Sequence, residues 1–115
     1  MPSHRTQRAS EDVRRELTDI FRTLKDPRIT GVLSIVKLDL TTDYSYCTVN
    51  VSSLDGESAA REAVAGLTSA AGFIRREIGS RLRLRRTPEF IFMVDTGIEH
   101  SAEIHRILRG LSDDN

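Results

Sequence analysis

Three segments of this chain alternate apolar and polar residues as β-strands do, and their spacing limits the folds available to it. The first two, VLSIVKLDL (residues 32–40) and YSYCTVNVSS (residues 44–53), are separated by the turn-like TTD, which predicts an antiparallel hairpin. The third, TPEFIFMVD (residues 87–95), follows a long stretch of helical pattern, and such a connection permits a right-handed crossover to a parallel strand. We therefore predict a small, three-stranded mixed sheet.

The alternation also predicts which side chains face the core. In the second strand we expect Tyr46, Thr48 and Asn50 to lie on a solvent-exposed face, opposite the apolar residues of that strand. The third strand carries apolar residues on both faces, which indicates that it is covered. The apolar face of the hairpin is predicted to comprise Val36, Leu38 and Leu40 of the first strand and Cys47, Val49 and Val51 of the second.

Helical periodicity surrounds the strands. Ser10 is a candidate N-cap for a first helix, and residues 1–9 before it are expected to be flexible. The KDPR sequence ends this helix, because Pro27 disfavours helical geometry at Asp26. The apolar residues of this helix recur three and four positions apart, at Val13, Leu17, Ile20, Phe21 and Leu24.

A second helix is predicted in AAREAVAGLTSAA (residues 59–71), where small residues dominate. Gly72 should end or sharply kink it, and a further helix from Phe73 then buries Ile74, Ile78 and Leu82 while turning arginines outward. After the third strand, TGIE (residues 96–99) has capping-box spacing. It predicts a short final helix over Ile104–Leu111, followed by a flexible acidic tail at residues 112–115.

The predicted order is helix, strand, strand, helix, kink, helix, strand, helix. Helices on one face of a small mixed sheet make an α+β domain. The chain has 115 residues, which suffices for one core and argues for a single domain over residues 1–115.

Composition excludes several classes of protein. Hydrophobic residues make up 38% and charged residues 30% of the chain, as in soluble globular proteins, and the apolar runs are too short to span a bilayer. Cys47 is the single cysteine, so no internal disulfide can form. We therefore predict a cytoplasmic protein with no membrane association.

The residues show no constellation suited to catalysis. His100 and His105 are five apart, about 140° around a helix, so they do not form the pair of a zinc-binding helix. His4 lies near the amino end, and Cys47 has no CxxC partner. No Walker loop and no GxGxxG motif is present. We predict no enzyme activity, no metal and no cofactor.

Arginine is concentrated in SAAGFIRREIGSRLRLRR (residues 69–86), although the chain carries no net charge. This segment contains six arginines and one acid, Glu77. A solvated helix face is the simplest interpretation of such a run. However, arginine binds phosphate bidentately, and these arginines are not interleaved with the glutamates of a merely soluble helix. A second basic group near the amino end contains Arg5, Arg8, Arg14 and Arg15. The candidate nucleic-acid ligands are Arg5 and Arg8 of that group, together with Arg75, Arg76, Arg81, Arg83, Arg85 and Arg86.

The helix start after Gly72 would add backbone amides to a phosphate site. The chain has no tryptophan and only 5% aromatic residues, most of them in the predicted core, so we expect contacts to the nucleic-acid backbone rather than stacking on bases. Tyr44, Tyr46 and Asn50 are interpreted equally well as RNA contacts or as half-buried strand residues.

Four motifs together resemble the ribosome-binding factor A family. They are LKDPRI (residues 24–29), VNVSSL (residues 49–54), AAGFIRREIGSRLRLRRTPEF (residues 70–90) and D-x-x-I-E (residues 95–99). They follow the family's order over about residues 5–109, and the GFIR…LRLR-x-TPE run is the most specific of them.

The resemblance implies a KH-like fold of type II and a role in ribosome assembly. KH modules clamp single-stranded RNA with a GxxG loop between two helices; this family has an Ala-x-Gly kink instead, matched by Ala70, Ala71 and Gly72. It further implies binding to the free small (30S) ribosomal subunit and its 16S rRNA late in assembly. The implied role is to help mature the 5′ end, especially in the cold, without nuclease activity.

A competing interpretation is a protein-interaction module, in which the small-residue helix or an edge of the hairpin recruits a partner chain. In either case we expect a monomer.

Overall fold

The computed structural model describes residues 4–29 and 32–96, with side chains from Thr6 onward. It contains α1 (His4–Thr23), β1 (Leu33–Leu40), β2 (Tyr46–Ser53), α2 (Glu57–Ser69), α3 (Ala71–Arg81) and β3 (Glu89–Val94). The sheet order is β1-β2-β3, with β1 antiparallel and β3 parallel to β2. This confirms the predicted α+β, KH-like fold with its mixed sheet. The predicted final helix and acidic tail lie outside the described residues.

The helices pack on the face of the sheet that carries the apolar side chains of β2. Val13 and Leu17 of α1 and Ile74 and Ile78 of α3 are fully buried, because the apolar residues of each helix recur every three or four positions. α1 covers β1, α2 covers β2 and β3, and α3 lies against α1 and β3. The same core includes Ile20, Leu67, Cys47, Val49, Val51, Phe90 and Phe92. None of the described helices is long and apolar enough to cross a membrane.

Helix α1 begins earlier than predicted. It starts at His4, so residues 4–9, which were expected to belong to a flexible end, are helical. Ser10 is not an N-cap, since its hydroxyl donates to the carbonyl of Thr6 at 2.9 Å within the helix. The reason is that Thr6 and Ala9 are buried and extend the inward stripe of α1 by two more positions. Small residues carried no clear hydrophobic signal there.

The break between α2 and α3 lies two residues before Gly72. Ala70 is the turn residue, with φ −91° and ψ 5°, and its amide donates to the carbonyls of Gly66 and Leu67 at 3.0 and 3.1 Å. Gly72 therefore lies in the first turn of α3, and the prediction that it forms the break is wrong. The kink forms without glycine because φ at Ala70 is negative, so the turn does not need the left-handed conformation that favours glycine.

A β-bulge changes the predicted inward face of β1. Ile35 pairs with Val51 and Lys37 with Asn50, so Val36 is an extra residue between them. Val36 is 47% exposed, whereas Leu38 is half-buried and Leu40 is buried. The prediction that Val36 shares their face is wrong, because a bulge interrupts the two-residue period.

The prediction that one face of the hairpin is exposed to solvent is also wrong for the central part of β2. Thr48 and Asn50 are buried, at 1% and 0% exposure. β2 is the central strand, and in register Thr48 lies between Asp39 and Ile91 while Asn50 lies between Lys37 and Met93. Among the described residues, no hydrogen-bond partner reaches Thr48 Oγ1 or the side-chain amide of Asn50.

The unpaired Thr48 hydroxyl leads to a stability prediction. Thr48→Val should raise the free energy of unfolding by about 1 kcal/mol, because the hydroxyl is buried with no hydrogen-bond partner in the described part of the chain and valine keeps the same shape. Denaturant titration measures the change. Thr68→Val, at an exposed position of α2, is the control and should change stability little. A less stable Thr48→Val protein would contradict the description of this site.

The turn after α1 packs closely against α2. The Asp26 carboxylate accepts hydrogen bonds from the amide of Arg28 at 2.8 Å and from its guanidinium at 2.7 Å. Behind it, a Cβ added to Gly66 would lie 2.8 Å from Ile29 Cγ1, so only glycine lets the turn approach this closely. The LKDPRI motif thus contacts α2 through Asp26 and Ile29.

Candidate nucleic-acid interface

The six arginines between Ser69 and Arg86 differ in whether a carboxylate neutralises them. Only Arg81 lies within salt-bridge distance of one among the described residues. The other five, Arg75, Arg76, Arg83, Arg85 and Arg86, are exposed. A charge run that served only solubility would be expected to form such pairs, so these five guanidinium groups are available to an anionic partner.

Arg81 ties α3 to α1. Its Nη1 atom lies 2.7 Å from Asp19 Oδ2 and 3.3 Å from Glu16 Oε1, and its Nη2 atom lies 3.3 Å from Glu77 Oε1. The hydrogen bond to Asp19 is the main cause that raises the pKa of Arg81 above its ordinary value. Three carboxylates thus compete with any phosphate for this side chain, and we assign Arg81 to helix packing rather than to ligand binding.

Arg75 and Arg86 are oriented by neutral acceptors and keep their net charge. Arg75 Nη2 donates to the carbonyl of Thr87 at 3.0 Å, and Arg86 Nη1 donates to Ser45 Oγ at 3.1 Å. The first bond brings the end of the Arg75 side chain beside the segment that carries Arg85 and Arg86. Sequence reasoning missed Ser45, because 41 residues separate it from Arg86.

Arg85 and Arg86 line an open hollow with Thr42 and Asp43 of the β1–β2 turn. Hydrogen bonds from Ser45 lower the pKa of Asp43 to about 2, with smaller contributions from Thr41 and the charge of Arg86. Asp43 is therefore ionised at neutral pH. Two guanidinium groups and one carboxylate line the hollow, so its net charge is positive.

Arg76 and Arg83 are exposed, and among the described residues neither has a hydrogen bond or ion pair. Arg76 projects back along α3, since a Cβ added to Gly72 would lie 3.7 Å from Arg76 Nη1. Together with Arg85 they are the least constrained cations of the segment.

The second basic group is only partly available. Arg14 donates to the carbonyl of Ile35 at 2.8 Å, and Arg15 pairs with Asp12 at 2.9 Å. Arg14 thereby satisfies a carbonyl at the bulge of β1. Arg8 is exposed on α1, and Arg5 lies in the same helix with a side chain outside the described residues.

The predicted kink residues lie beside the arginines. Ala70 and Ala71 are half-buried and Gly72 is exposed. Within the described residues, no side chain caps the start of α3. The hairpin residues are placed differently from the expectation of an exposed face. Tyr44 is 6% exposed and Asn50 is fully buried, so of that set only half-buried Tyr46 reaches the surface to any extent.

Comparison with known proteins identifies the family. The family model described as ribosome-binding factor A matches residues 5–108. The chain belongs to the ribosome-binding factor A family. The Clostridium tetani member is 44% identical over 109 residues, covering 94% of this chain and 90% of that protein. The Caldanaerobacter subterraneus member is 44% identical over 117 residues, covering 97% and 96%.

Solved structures of the family share the fold. A solution structure of a putative ribosome-binding factor A from Thermotoga maritima superposes with a TM-score of 0.73 at 32% identity, covering 86% of this chain and 94% of that one. A homology model of the Thermus thermophilus factor, fitted into a cryo-EM map of its complex with 30S, gives a TM-score of 0.61 at 26% identity. It covers 74% of this chain and 89% of that one.

Proposed function

We propose that this protein binds the free small ribosomal subunit by holding phosphates of 16S rRNA, and that it acts by binding alone. The observation that carries the proposal is the set of five exposed arginines that lie outside salt-bridge distance of any carboxylate among the described residues. Family membership and the 30S complex of the Thermus thermophilus factor support the same partner.

The mechanism follows from how the structure holds part of this surface in place. The guanidinium groups of Arg75 and Arg86 are held in place by Thr87 and Ser45, and the Arg81 cluster fixes α3 against α1. A preformed basic surface favours the one rRNA arrangement whose phosphates match it, and binding shifts the precursor toward that arrangement. The protein leaves when the mature subunit no longer favours that arrangement.

The finer role is proposed on the family resemblance. The protein would act as a cytoplasmic monomer late in assembly, aiding maturation of the 5′ end of 16S rRNA in the cold while other enzymes cleave the RNA. The alternative is a protein-interaction module built on the small residues of α2 or on an edge of the hairpin. Its α2 form is less favoured, because Ala60, Ala63 and Gly66 are buried inside the domain.

Co-sedimentation separates these two functions. The protein should pellet with free small subunits and should be released after ribonuclease treatment that leaves the ribosomal proteins assembled. Retention on ribonuclease-treated particles would favour the protein-interaction module. A failure to pellet with intact subunits would reject the proposed function.

A further inference from the structure

Phe73 is an exposed aromatic residue in the first turn of α3. Its side chain is 41% exposed, whereas the other three phenylalanines of the chain contact the core or one another. Phe21 packs edge-on against Phe92 at 6.1 Å between ring centroids, and Phe90 stacks with Phe92 at 6.2 Å. Packing of the domain therefore does not account for the exposed face of the Phe73 ring.

Arg76 follows one helical turn after Phe73, so their side chains are neighbours on the surface of α3. The guanidinium group of Arg76 lies near Gly72, 3.7 Å from the position of an added Cβ. Within the described part of the chain, Arg76 makes no hydrogen bond and no ion pair. Gly72 has no side chain, so the surface beside both groups is open to a ligand.

The chemistry of this pair matches one nucleotide. An aromatic ring offers a face on which any base can stack, and base–aromatic stacking is worth about 1–3 kcal/mol per base. The neighbouring guanidinium can bind the phosphate attached to that base. A protein partner would be expected to bury a contiguous apolar patch. The positions one helical turn from Phe73 are Ser69, Ala70, Arg76 and Glu77, of which only the half-buried Ala70 is apolar.

We propose that Phe73 and Arg76 form a subsite for one unpaired nucleotide of rRNA, with the base stacked on Phe73 and its phosphate bound by Arg76. The nucleotide must be unpaired, because a base within a duplex has both faces stacked. The proposal rests on the proposed function, since it takes the partner to be RNA. It revises the expectation from composition that this protein makes no stacking contact.

Two substitutions of Phe73 and one of Arg76 test the subsite. Phe73→Leu keeps an apolar side chain without a ring and should weaken binding to free small subunits by about fivefold to a hundredfold. Phe73→Tyr keeps the ring and should bind within about twofold of the wild type. Phe73→Leu should leave the salt dependence of binding unchanged, whereas Arg76→Gln should reduce the slope of log affinity against log salt by about 0.7–0.9.

A fluorescent reporter tests contact with a base directly. The chain contains no tryptophan, so Phe73→Trp creates a single indole at the subsite. Its emission should be quenched when a single-stranded oligoadenylate of about twelve nucleotides binds. A duplex of the same length should quench it much less. Saturation is established separately by the anisotropy of labelled RNA.

The outcomes separate this inference from the proposed function. Two results would overturn the nucleotide subsite alone. One is a Phe73→Leu protein that binds subunits as tightly as the wild type, and the other is an indole that is not quenched when the RNA is saturating. The subsite would also be overturned if Phe73→Leu bound RNA-free ribosomal proteins more weakly than the wild type does, because Phe73 would then make a protein contact. A wild-type protein that binds neither subunits nor RNA would instead reject the proposed function.

Discussion

Replacing Arg76, Arg83 and Arg85 together with glutamine should lower the affinity for free small subunits roughly a hundredfold near 0.1 M salt. Each phosphate contact releases counterions from the RNA and contributes about 0.7–0.9 to the slope of log affinity against log salt. Three lost contacts should therefore also reduce that slope by two to three. Equilibrium sedimentation at several salt concentrations measures both quantities. The protein should remain folded, because the three side chains are exposed.

The control removes the same charge elsewhere. Lys37, Arg61 and Arg15 are exposed and each pairs with a neighbouring carboxylate, at 3.6, 3.1 and 2.9 Å respectively. Glutamine at these three positions changes the net charge equally but should reduce the affinity by less than about threefold, since only long-range attraction is lost. Equal losses in the two triple variants would show that total charge rather than this surface determines binding.

Ile78→Ala should destabilise the protein by about 2–5 kcal/mol, since Ile78 is fully buried in the core and its truncation leaves a cavity. Domains of this size are stable by only about 5–15 kcal/mol, so the melting temperature should fall by roughly 10–20 °C. Calorimetry or circular dichroism measures it. Below the lowered melting temperature, affinity for small subunits should be retained, because the arginines of α3 are unchanged.

Leu54→Ala is the matched control for this substitution. Leu54 is 81% exposed, so its truncation removes little buried surface and should change stability by less than about 0.5 kcal/mol. Similar destabilisation by the two substitutions would contradict the described position of Ile78 in the core.

Periodicity in the sequence was sufficient to predict the order of the described elements, from α1 to β3, and the mixed sheet. The inward stripes of α1 and α3 are long and regular, and Val13, Leu17, Ile74 and Ile78 are all buried as predicted. Local pattern was not sufficient at Val36, where a bulge shifts the period. It was also not sufficient at Thr48 and Asn50, which lie on the central strand between residues of β1 and β3. Those features depend on residues distant in sequence.

The candidate site was predictable in composition but not in detail. The sequence located the arginines and indicated an anionic partner. The sequence did not show that Arg81, unlike the others, is neutralised by carboxylates. Glu77, four residues away, was a visible partner, but Glu16 and Asp19 come from a different helix. The exposure of Phe73 was also hidden. The break predicted at Gly72 placed Phe73 at the start of a helix, but it did not indicate whether the ring faces the core or the solvent.

The salt dependence of wild-type binding to free small subunits tests the central claim most directly. If about six rRNA phosphates are neutralised, the association constant measured at fixed magnesium should fall roughly a thousandfold between about 50 and 200 mM monovalent salt. An association constant that stays nearly constant over this range would contradict an interface formed by arginines and rRNA phosphates.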